Sequence, residues 1–203
     1  MQKLSKTKDN IMKKLSTLSK SIIMVLSIAG VSTAAIAVGQ SATTKTEVSE
    51  AIAAAQSKIS LEQAITIAQK SIKGDVISAD FDQNGRSAGG NYDVKLVANN
   101  TEYEVEVDAN SGKVLSRKKE KLDKEDMAEY KAMKKSKTSM NQAIKRANQS
   151  VNGKVIEAGF DIDFGKPVYK FEIAKGTQVH KVVVDSRTGK IIRSQVEAAD
   201  NDD

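Results

Sequence analysis

An internal duplication restricts the fold of this chain more than any other feature of its sequence. The segment from Ser60 to Ser116 returns, in modified form, between Ser139 and Arg193. Matching residues lie 79 positions apart as far as Phe81 and Phe160, and 77 positions apart beyond the loop that follows. A difference of two residues in a loop costs little free energy. The sequence therefore predicts two copies of one structural unit.

Each copy opens with the pattern of an amphipathic helix. Apolar residues recur at steps of three and four between Ser60 and Ile72, and Gly74 stands where a helix ends. Ser60 and Ser139 occupy the position of an N-cap in the two copies.

The rest of each copy has the pattern of antiparallel strands. Apolar residues alternate with polar ones in two runs, around Val94 and around Val105 in the first copy, which is typical of half-buried strands. The pair Asn99-Asn100 between these runs favours a tight hairpin turn. The sequence predicts an α+β fold of two tandem units, each a helix packed on an antiparallel β-meander of about four strands.

A turn of the form Asp-x-x-x-Gly-Lys closes each meander. Its residues are Asp108, Gly112 and Lys113 in the first copy, and Asp185, Gly189 and Lys190 in the second. The Asp side chain can accept hydrogen bonds from backbone N–H groups of its own turn, and the glycine can adopt a positive φ. We expect a structural role for these turns. The alternative is that the two Lys side chains form a basic rim for the carboxylates of a partner.

The helix, the meander and this turn resemble the PepSY domain, which occurs in tandem in secreted bacterial proteins and in propeptides of thermolysin-type metallopeptidases. The resemblance rests on Gln63-Ala64-Ile65, on the strand end from Val105 to Asp108, on Val182 to Asp185, and on the Gly-Lys pairs that follow both strands. It implies an extracytoplasmic, non-catalytic module that binds or restrains peptidases. It supplies no catalytic residues.

The first 37 residues have the features of a secretory signal peptide. Six lysines precede an uncharged run from Ser21 to Gly39, and Ala35 and Ala37 provide the small side chains of a cleavage site. We expect cleavage after Ala37, with translation starting at Met1 or Met12. The alternative is an uncleaved membrane anchor, because the run is just long enough to span a bilayer.

The net charge of +6 depends mainly on this N-terminal segment. Residues 1–37 hold six Lys and one Asp, so the remainder carries a net charge of +1. With four Phe, four Tyr and no Trp, the remainder also lacks an aromatic platform for bases, and we expect no nucleic-acid partner. The absence of Cys excludes disulfides and a lipid-modified cysteine.

The predicted organisation has six segments. They are a signal peptide at 1–37, a flexible or helical stalk at 38–58, the first repeat at 59–118, a charged linker helix at 119–137, the second repeat at 138–196, and an acidic disordered tail at 197–203. Each repeat holds its own helix and hairpins, so we expect two small cores and independent folding.

No group of residues predicts a catalytic, cofactor or metal site. The run from Asp80 to Gly85 copies the start of an EF-hand loop, but Asn91 stands where the final bidentate carboxylate is required. His180 is the only histidine and has no second His or Cys for a zinc site, so we expect it on the surface of a strand. Glu104 and Glu106 alternate along one strand, as expected of an exposed face.

The predicted function is protein binding outside the cytoplasm. The two repeats differ on what we interpret as their solvent face, where Glu102, Glu104 and Glu106 give way to Val179, Lys181 and Val183. The candidate contact face is therefore Val179, His180, Lys181 and Val183. The expected partner is a protein, such as a peptidase, or a cell-wall component, with membrane contact only through an uncleaved N-terminal segment. The alternative function is a passive structural spacer of the cell envelope.

Overall fold

The computed structural model describes residues 50–87 and 89–196. The predicted signal peptide at 1–37, most of the predicted stalk and the tail at 197–203 lie outside these residues. The helices are α1 (50–56), α2 (Leu61–Ser71), α3 (Lys124–Met133) and α4 (Met140–Val151). The strands are β1 (Asp75–Asp82), β2 (Asn91–Ala98), β3 (Thr101–Asp108), β4 (Val114–Lys121), β5 (Lys154–Asp163), β6 (Lys166–Lys175), β7 (Gln178–Asp185) and β8 (Ile191–Val196).

The eight strands form one antiparallel sheet in the order β4-β3-β2-β1-β5-β6-β7-β8. Each repeat supplies a four-stranded meander, and the first strands of the two meanders pair at the centre. Ala79 pairs with Ala158, its own equivalent in the other repeat, while Ser78 pairs with Gly159 and Asp80 with Glu157. The two repeats are therefore related by a local two-fold axis at this β1–β5 seam. The predicted α+β fold with two tandem units is confirmed.

One face of the sheet is apolar and carries α2 and α4. A capping box fixes the start of both helices: the Ser60 and Ser139 hydroxyls accept from the N–H groups of Gln63 and Gln142, whose side chains accept from the capping N–H groups in return. The alternating apolar residues of the strands pack under these helices. Phe81 meets Tyr92 edge to face, with ring centroids 5.3 Å apart, and the equivalent rings of the second repeat are 5.5 Å apart.

The core is continuous across the two repeats, which differs from the sequence prediction. A single cluster of buried side chains runs from Ala51 to Val184 and contains residues of both meanders and all four helices. The expectation of two separate small cores is wrong, because pairing of β1 with β5 brings the apolar sides of both meanders onto one face.

The repeat also extends further upstream than its predicted boundaries at 59 and 138. The Tyr92 hydroxyl donates to the Ile59 carbonyl oxygen at 3.0 Å, and the Tyr169 hydroxyl makes the equivalent bond to Thr138 at 2.9 Å. Lys58 and Ile59 donate to the carbonyl oxygen of Ala109, and Thr138 donates to that of Ser186, the equivalent position. The residues before these anchors form α1 and α3, so a short helix precedes the capped helix in both repeats.

Both the predicted stalk and the predicted linker contain a helix that packs on the core. The part of the stalk that the structure describes holds α1, with Ala51 and Ala54 fully buried in the core. The predicted linker at 119–137 begins inside β4, which continues to Lys121, and its helix buries Asp126 and Met133. Within residues 50–87 and 89–196, every helix is too short or too polar to cross a bilayer.

Candidate functional site

The two Asp-x-x-x-Gly-Lys turns have nearly the same geometry. Asp108 Oδ1 accepts from the N–H groups of Asn110 at 3.0 Å and Ser111 at 2.6 Å. Asp185 Oδ1 accepts from Arg187 at 3.1 Å and Thr188 at 2.7 Å. These bonds favour the ionised carboxylate. A hydrogen bond from the Ser87 hydroxyl, together with the bonds of its own turn, lowers the pKa of Asp108 to about 2.

The turn glycines allow the capped helices to approach. Gly112 and Gly189 have φ values of 70° and 67°. A Cβ at Gly189 would lie 2.2 Å from the guanidinium of Arg146, which donates to the Gly189 carbonyl oxygen at 2.8 Å. The Lys113 and Lys190 side chains are exposed. The turns therefore connect the meanders to the helices, and their lysines lie in solvent. A role of these lysines in binding stays a prediction.

The predicted contact face on β7 is not a surface. Val179 is 3% exposed, Val183 is 1% exposed, and Lys181 is buried with its Nζ atom 3.4 Å from a Glu172 carboxylate oxygen. The strand is flanked on both sides, by β6 and β8, and Val183 pairs with Lys170 and Arg193. The expectation that this face is open to solvent is wrong, because directly paired residues share a face of the sheet and the long side chains of Lys170 and Arg193 flank Val183 there.

His180 also differs from its predicted position. Consecutive residues of a strand point to opposite sides of the sheet, so His180 cannot share a face with Val179 and Lys181. It pairs with Ile173 on the apolar side and is half-buried. The residue is therefore not an exposed member of a contact surface.

The acidic face of the first repeat is likewise covered. Glu102 and Glu106 are buried, against the expectation of an exposed face. Lys118 Nζ lies 2.8 Å from Glu104 and 3.4 Å from Glu106, and Arg86 Nε lies 3.1 Å from Glu106. Ion pairing across neighbouring strands explains how these carboxylates are accommodated.

The polar side of the sheet holds a group of carboxyl groups around the β1–β5 seam, of which Glu157 is buried and the others are half-buried. We call Glu50, Asp80, Asp93, Glu157 and Glu172 the acidic seam. Burial is the largest effect on the pKa of Asp80, with the charge of Asp93 adding to it, and the pKa rises to about 7. Burial, reinforced by the charge of Glu172, raises the pKa of Glu50 to about 7 and that of Glu157 well above its usual range.

Sequence reasoning missed this cluster because its members come from five separate elements, α1, β1, β2, β5 and β6. Asp80 and Glu157 pair only across the seam, and the sequence alone gave no register for β1 against β5. Among residues 50–87 and 89–196, no three His, Cys, Asp or Glu side chains are arranged so that they could hold a metal ion.

The two edges of the sheet have different chemical character. The edge strand β4 carries four cations, Arg117, Lys118, Lys119 and Lys121, and one Glu. The other edge, β8, carries one charge, Arg193, and exposes the apolar residues Ile191, Ile192 and Val196 by 39%, 54% and 44%. Lysines on an edge strand oppose further strand pairing. The edge at β8 lacks this protection and is the more open candidate for binding.

The match to a protein-family model agrees with the duplicated architecture. A family model described as "Peptidase propeptide and YPEB domain" (PepSY) matches residues 58–118 and 137–195, together more than half of the chain. The crystal structure of a provisionally assigned lipoprotein from Clostridium difficile 630 is similar at 29% sequence identity, with a TM-score of 0.44, over 70% of this chain and 95% of that one. No curated protein matches the chain. Its repeats, turns and two family matches show that the chain belongs to the PepSY family.

Proposed function

We propose that this protein is an extracytoplasmic binding module without turnover of its own, and that it binds an extended protein segment along β8. Membership of the PepSY family fits an extracytoplasmic protein. The observation that carries the proposal is the contrast between the edges, since only β8 combines exposed apolar side chains with a low charge.

The expected mode of binding is addition of a ninth strand to the sheet. An added strand gains main-chain hydrogen bonds from the exposed edge, and its alternate side chains supply specificity. Exposed apolar residues lie at both ends of β8, at Ile191 and Ile192 and at Val196, so the whole strand can serve as the template. An eight-stranded sheet with one continuous core provides a rigid support for this edge.

The family description supports a peptidase as the partner. Propeptides contact the peptidases from which they are cleaved, and "peptidase propeptide" is part of the description that matches both repeats. Binding of a peptidase segment at β8 would restrain that segment in an extended conformation. A cell-wall component is the other partner class that an exported protein meets.

The test compares two equivalent positions on opposite edges. Ile192 on β8 and Leu115 on β4 occupy corresponding places in the repeats and are 54% and 38% exposed. The Ile192→Lys and Leu115→Lys variants are each offered to the peptidases and wall material of the exporting cell, and captured protein is quantified. We expect Ile192→Lys to lower capture about tenfold, because it introduces edge protection, and Leu115→Lys to leave capture unchanged.

Circular dichroism and thermal unfolding verify that both variants are folded. Equal capture by a folded Ile192→Lys variant would remove β8 as the contact site. Absence of any specific partner for the unchanged protein, in repeated experiments, would favour the passive spacer.

A further inference from the structure

We infer that the tip of the β5–β6 hairpin is a docking site for an anionic lipid surface. The site consists of the exposed ring of Phe164 and the cations Lys131, Lys135, Lys166 and Arg187, and we call it the hairpin-tip site. It is separate from the proposed strand-binding edge at β8.

Phe164 occupies a turn position that favours a residue tolerant of positive φ. The hairpin turns through Phe164 and Gly165, which have φ values of 48° and 75°. Two consecutive positive φ values define a turn that favours Asn-Gly, and a bulky residue in the first position is strained. The ring nevertheless remains 81% exposed, so it does not stabilise the core. Phe164 is strained, and its ring is not buried in compensation. This combination indicates that the ring contacts something other than the rest of the folded chain.

The tip projects beyond the neighbouring strands. Pairing of β6 with β7 begins at Val168, and pairing of β5 with β1 ends at Gly159. The hairpin continues past both, to the pair Asp163 and Lys166. A projecting ring can reach a flat surface that the rest of the sheet does not touch.

Cations surround the base of the tip. A groove of about 390 Å³ runs between α3 and the hairpin, and its lining includes Lys131, Lys135, Ile162, Gly165 and Arg187. All three cations are exposed, and so is Lys166 beside the turn. The two nearby carboxylates on β5 are already paired: Asp161 lies 2.5 Å from Lys170, and Asp163 lies 3.9 Å from Arg193. The tip therefore presents positive charge around an apolar ring.

This combination fits a membrane surface better than a folded protein. An aromatic side chain buries roughly 150–250 Å², far below the roughly 1,200 Å² of a stable protein interface. Anionic headgroups, in contrast, attract several separate cations, and an aromatic ring is accommodated at the boundary between headgroups and acyl chains. The equivalent loop of the first repeat has Asn84-Gly85 near its tip, so only the second repeat carries the ring.

A tryptophan in place of Phe164 tests whether the side chain at the tip enters a lipid surface. The chain has four Tyr and no Trp, so Phe164→Trp introduces a single Trp at the tip, whose emission is excited selectively at wavelengths that Tyr does not absorb. Protein recovered from the exterior of exporting cells is mixed with vesicles of phosphatidylglycerol and phosphatidylcholine, or of phosphatidylcholine alone. We expect the Trp emission to shift to shorter wavelength only with the anionic vesicles, and to return when salt is raised from about 50 to about 500 mM. Equal shifts with both vesicle types would overturn the proposal.

Sedimentation with the same vesicles tests ring and charge separately. We expect Phe164→Asn, which suits the turn, to lower binding about fivefold, and Lys131→Gln with Lys135→Gln to lower it by a similar factor. The control is Lys119→Gln with Lys121→Gln on the exposed edge β4, which removes equal charge and should leave binding unchanged. Undiminished binding by Phe164→Asn, or equal losses in both charge variants, would overturn the proposal. Binding of a polyglutamate peptide but of neither vesicle type would instead identify an acidic protein segment as the ligand.

Discussion

Side chains at left-handed backbone positions separate structural turns from the hairpin tip. Asn99, Asn100 and Asn152 have φ values of 51°, 57° and 57°, and asparagine tolerates this region. Phe164 has a similar φ and lacks that tolerance. The same backbone geometry thus holds asparagine, which suits it, at three positions, whereas Phe164 is exposed and does not suit it.

Phe164→Asn is expected to stabilise the fold. Asparagine should relieve strain at φ 48° and lose no buried contact, since the ring is 81% exposed. We expect the free energy of unfolding to rise by roughly 0.5–1 kcal/mol, with Tm higher by a few degrees. Thermal unfolding followed by circular dichroism measures the change. A lower Tm would show that the ring makes stabilising contacts, and its proposed surface role would lose its basis.

Asp185→Ala is expected to weaken the second closing turn. The Asp185 carboxylate accepts from two N–H groups of its turn and from the Thr188 hydroxyl at 2.8 Å. Loss of these bonds should cost about 1–2 kcal/mol, while Lys190→Gln, in the same turn, should cost nothing measurable. Urea unfolding of the two variants provides the comparison. If both variants lose partner binding but only Asp185→Ala loses stability, the lysine has the functional role that the sequence leaves open.

At the scale of single elements, the β1–β5 seam is unusual because it places ionisable groups in the centre of a sheet. Asp80 pairs with Glu157 across the seam and with Asp93 on the other side. Lys95 and Lys181 face these groups and partly offset the repulsion. The folded chain therefore favours protonated carboxyl groups here.

Stability is expected to fall as the pH rises from about 4 to about 7. The pKa values of Asp80 and Glu50 rise from 3.8 and 4.5 to about 7 in the folded chain, so the folded state binds more protons than the unfolded state in this interval. The stabilising contribution is complete below the unfolded pKa values and is lost as the pH passes the folded ones. Urea unfolding at pH 5 and pH 8 tests the sign.

The Asp80→Asn variant tests whether the acidic seam causes this pH dependence. The amide cannot ionise, so the variant should be more stable than the unchanged chain at pH 8 and nearly equal to it at pH 5. As a control, Asp161→Asn removes the ion pair with Lys170, which lies at 2.5 Å, and should destabilise at both pH values. A flat profile for the unchanged chain, or the same slope in Asp80→Asn, would contradict the assignment.

The elements themselves were largely predictable, and their extent was not. The 3.6-residue pattern and the N-caps Ser60 and Ser139 indicate α2 and α4, and alternation indicates the central strands. A helix in the second half of the stalk is indicated only by a weak stripe of Val48, Ile52 and Ala55, whereas α1 buries Ala51 and Ala54 and exposes Ile52. The equivalence of Ser57 and Ser136, 79 positions apart, is the sequence signal that α1 and α3 are corresponding parts of the repeat.

At the scale of the whole molecule, the decisive fact is the pairing of β1 with β5, which local sequence does not encode. Periodicity shows that Val183 and Glu106 lie on the polar sides of their strands, but exposure depends on what covers that side. Arg86 and Lys118 cover Glu106, and Val183 lies between Lys170 and Arg193 of the neighbouring strands. The candidate binding edge at β8 emerged only when the strand order had shown which strands are outermost.

The local two-fold axis at the seam leads to a prediction about the separate repeats. In an isolated first repeat, β1 becomes an edge strand with Ala79 at its centre. A second copy can pair there with Ala79 opposite Ala79 and Ser78 opposite Asp80, which repeats the register of the native seam. The second repeat can do the same through Ala158. Unpaired edges of this kind associate readily.

We therefore expect residues 50–121 and residues 122–196, expressed separately, to form homodimers, and a mixture of the two to form a heterodimer. The heterodimer should prevail because it restores polar contacts between the two repeats: Lys134 Nζ lies 2.9 Å from an Asp75 carboxylate oxygen, and Lys154 Nζ donates to the Ser57 carbonyl oxygen at 2.8 Å. Light scattering coupled to size-exclusion chromatography measures the masses, and a Ser78→Pro variant of the first fragment, which places a ring at the seam edge, should remain monomeric. If both unchanged fragments are monomeric and each unfolds in one cooperative transition, the repeats are the independent units that the sequence predicts. The seam would then be a contact between two independently folded domains. Dimers would instead show that each repeat requires a partner strand at β1 or β5 to complete its sheet.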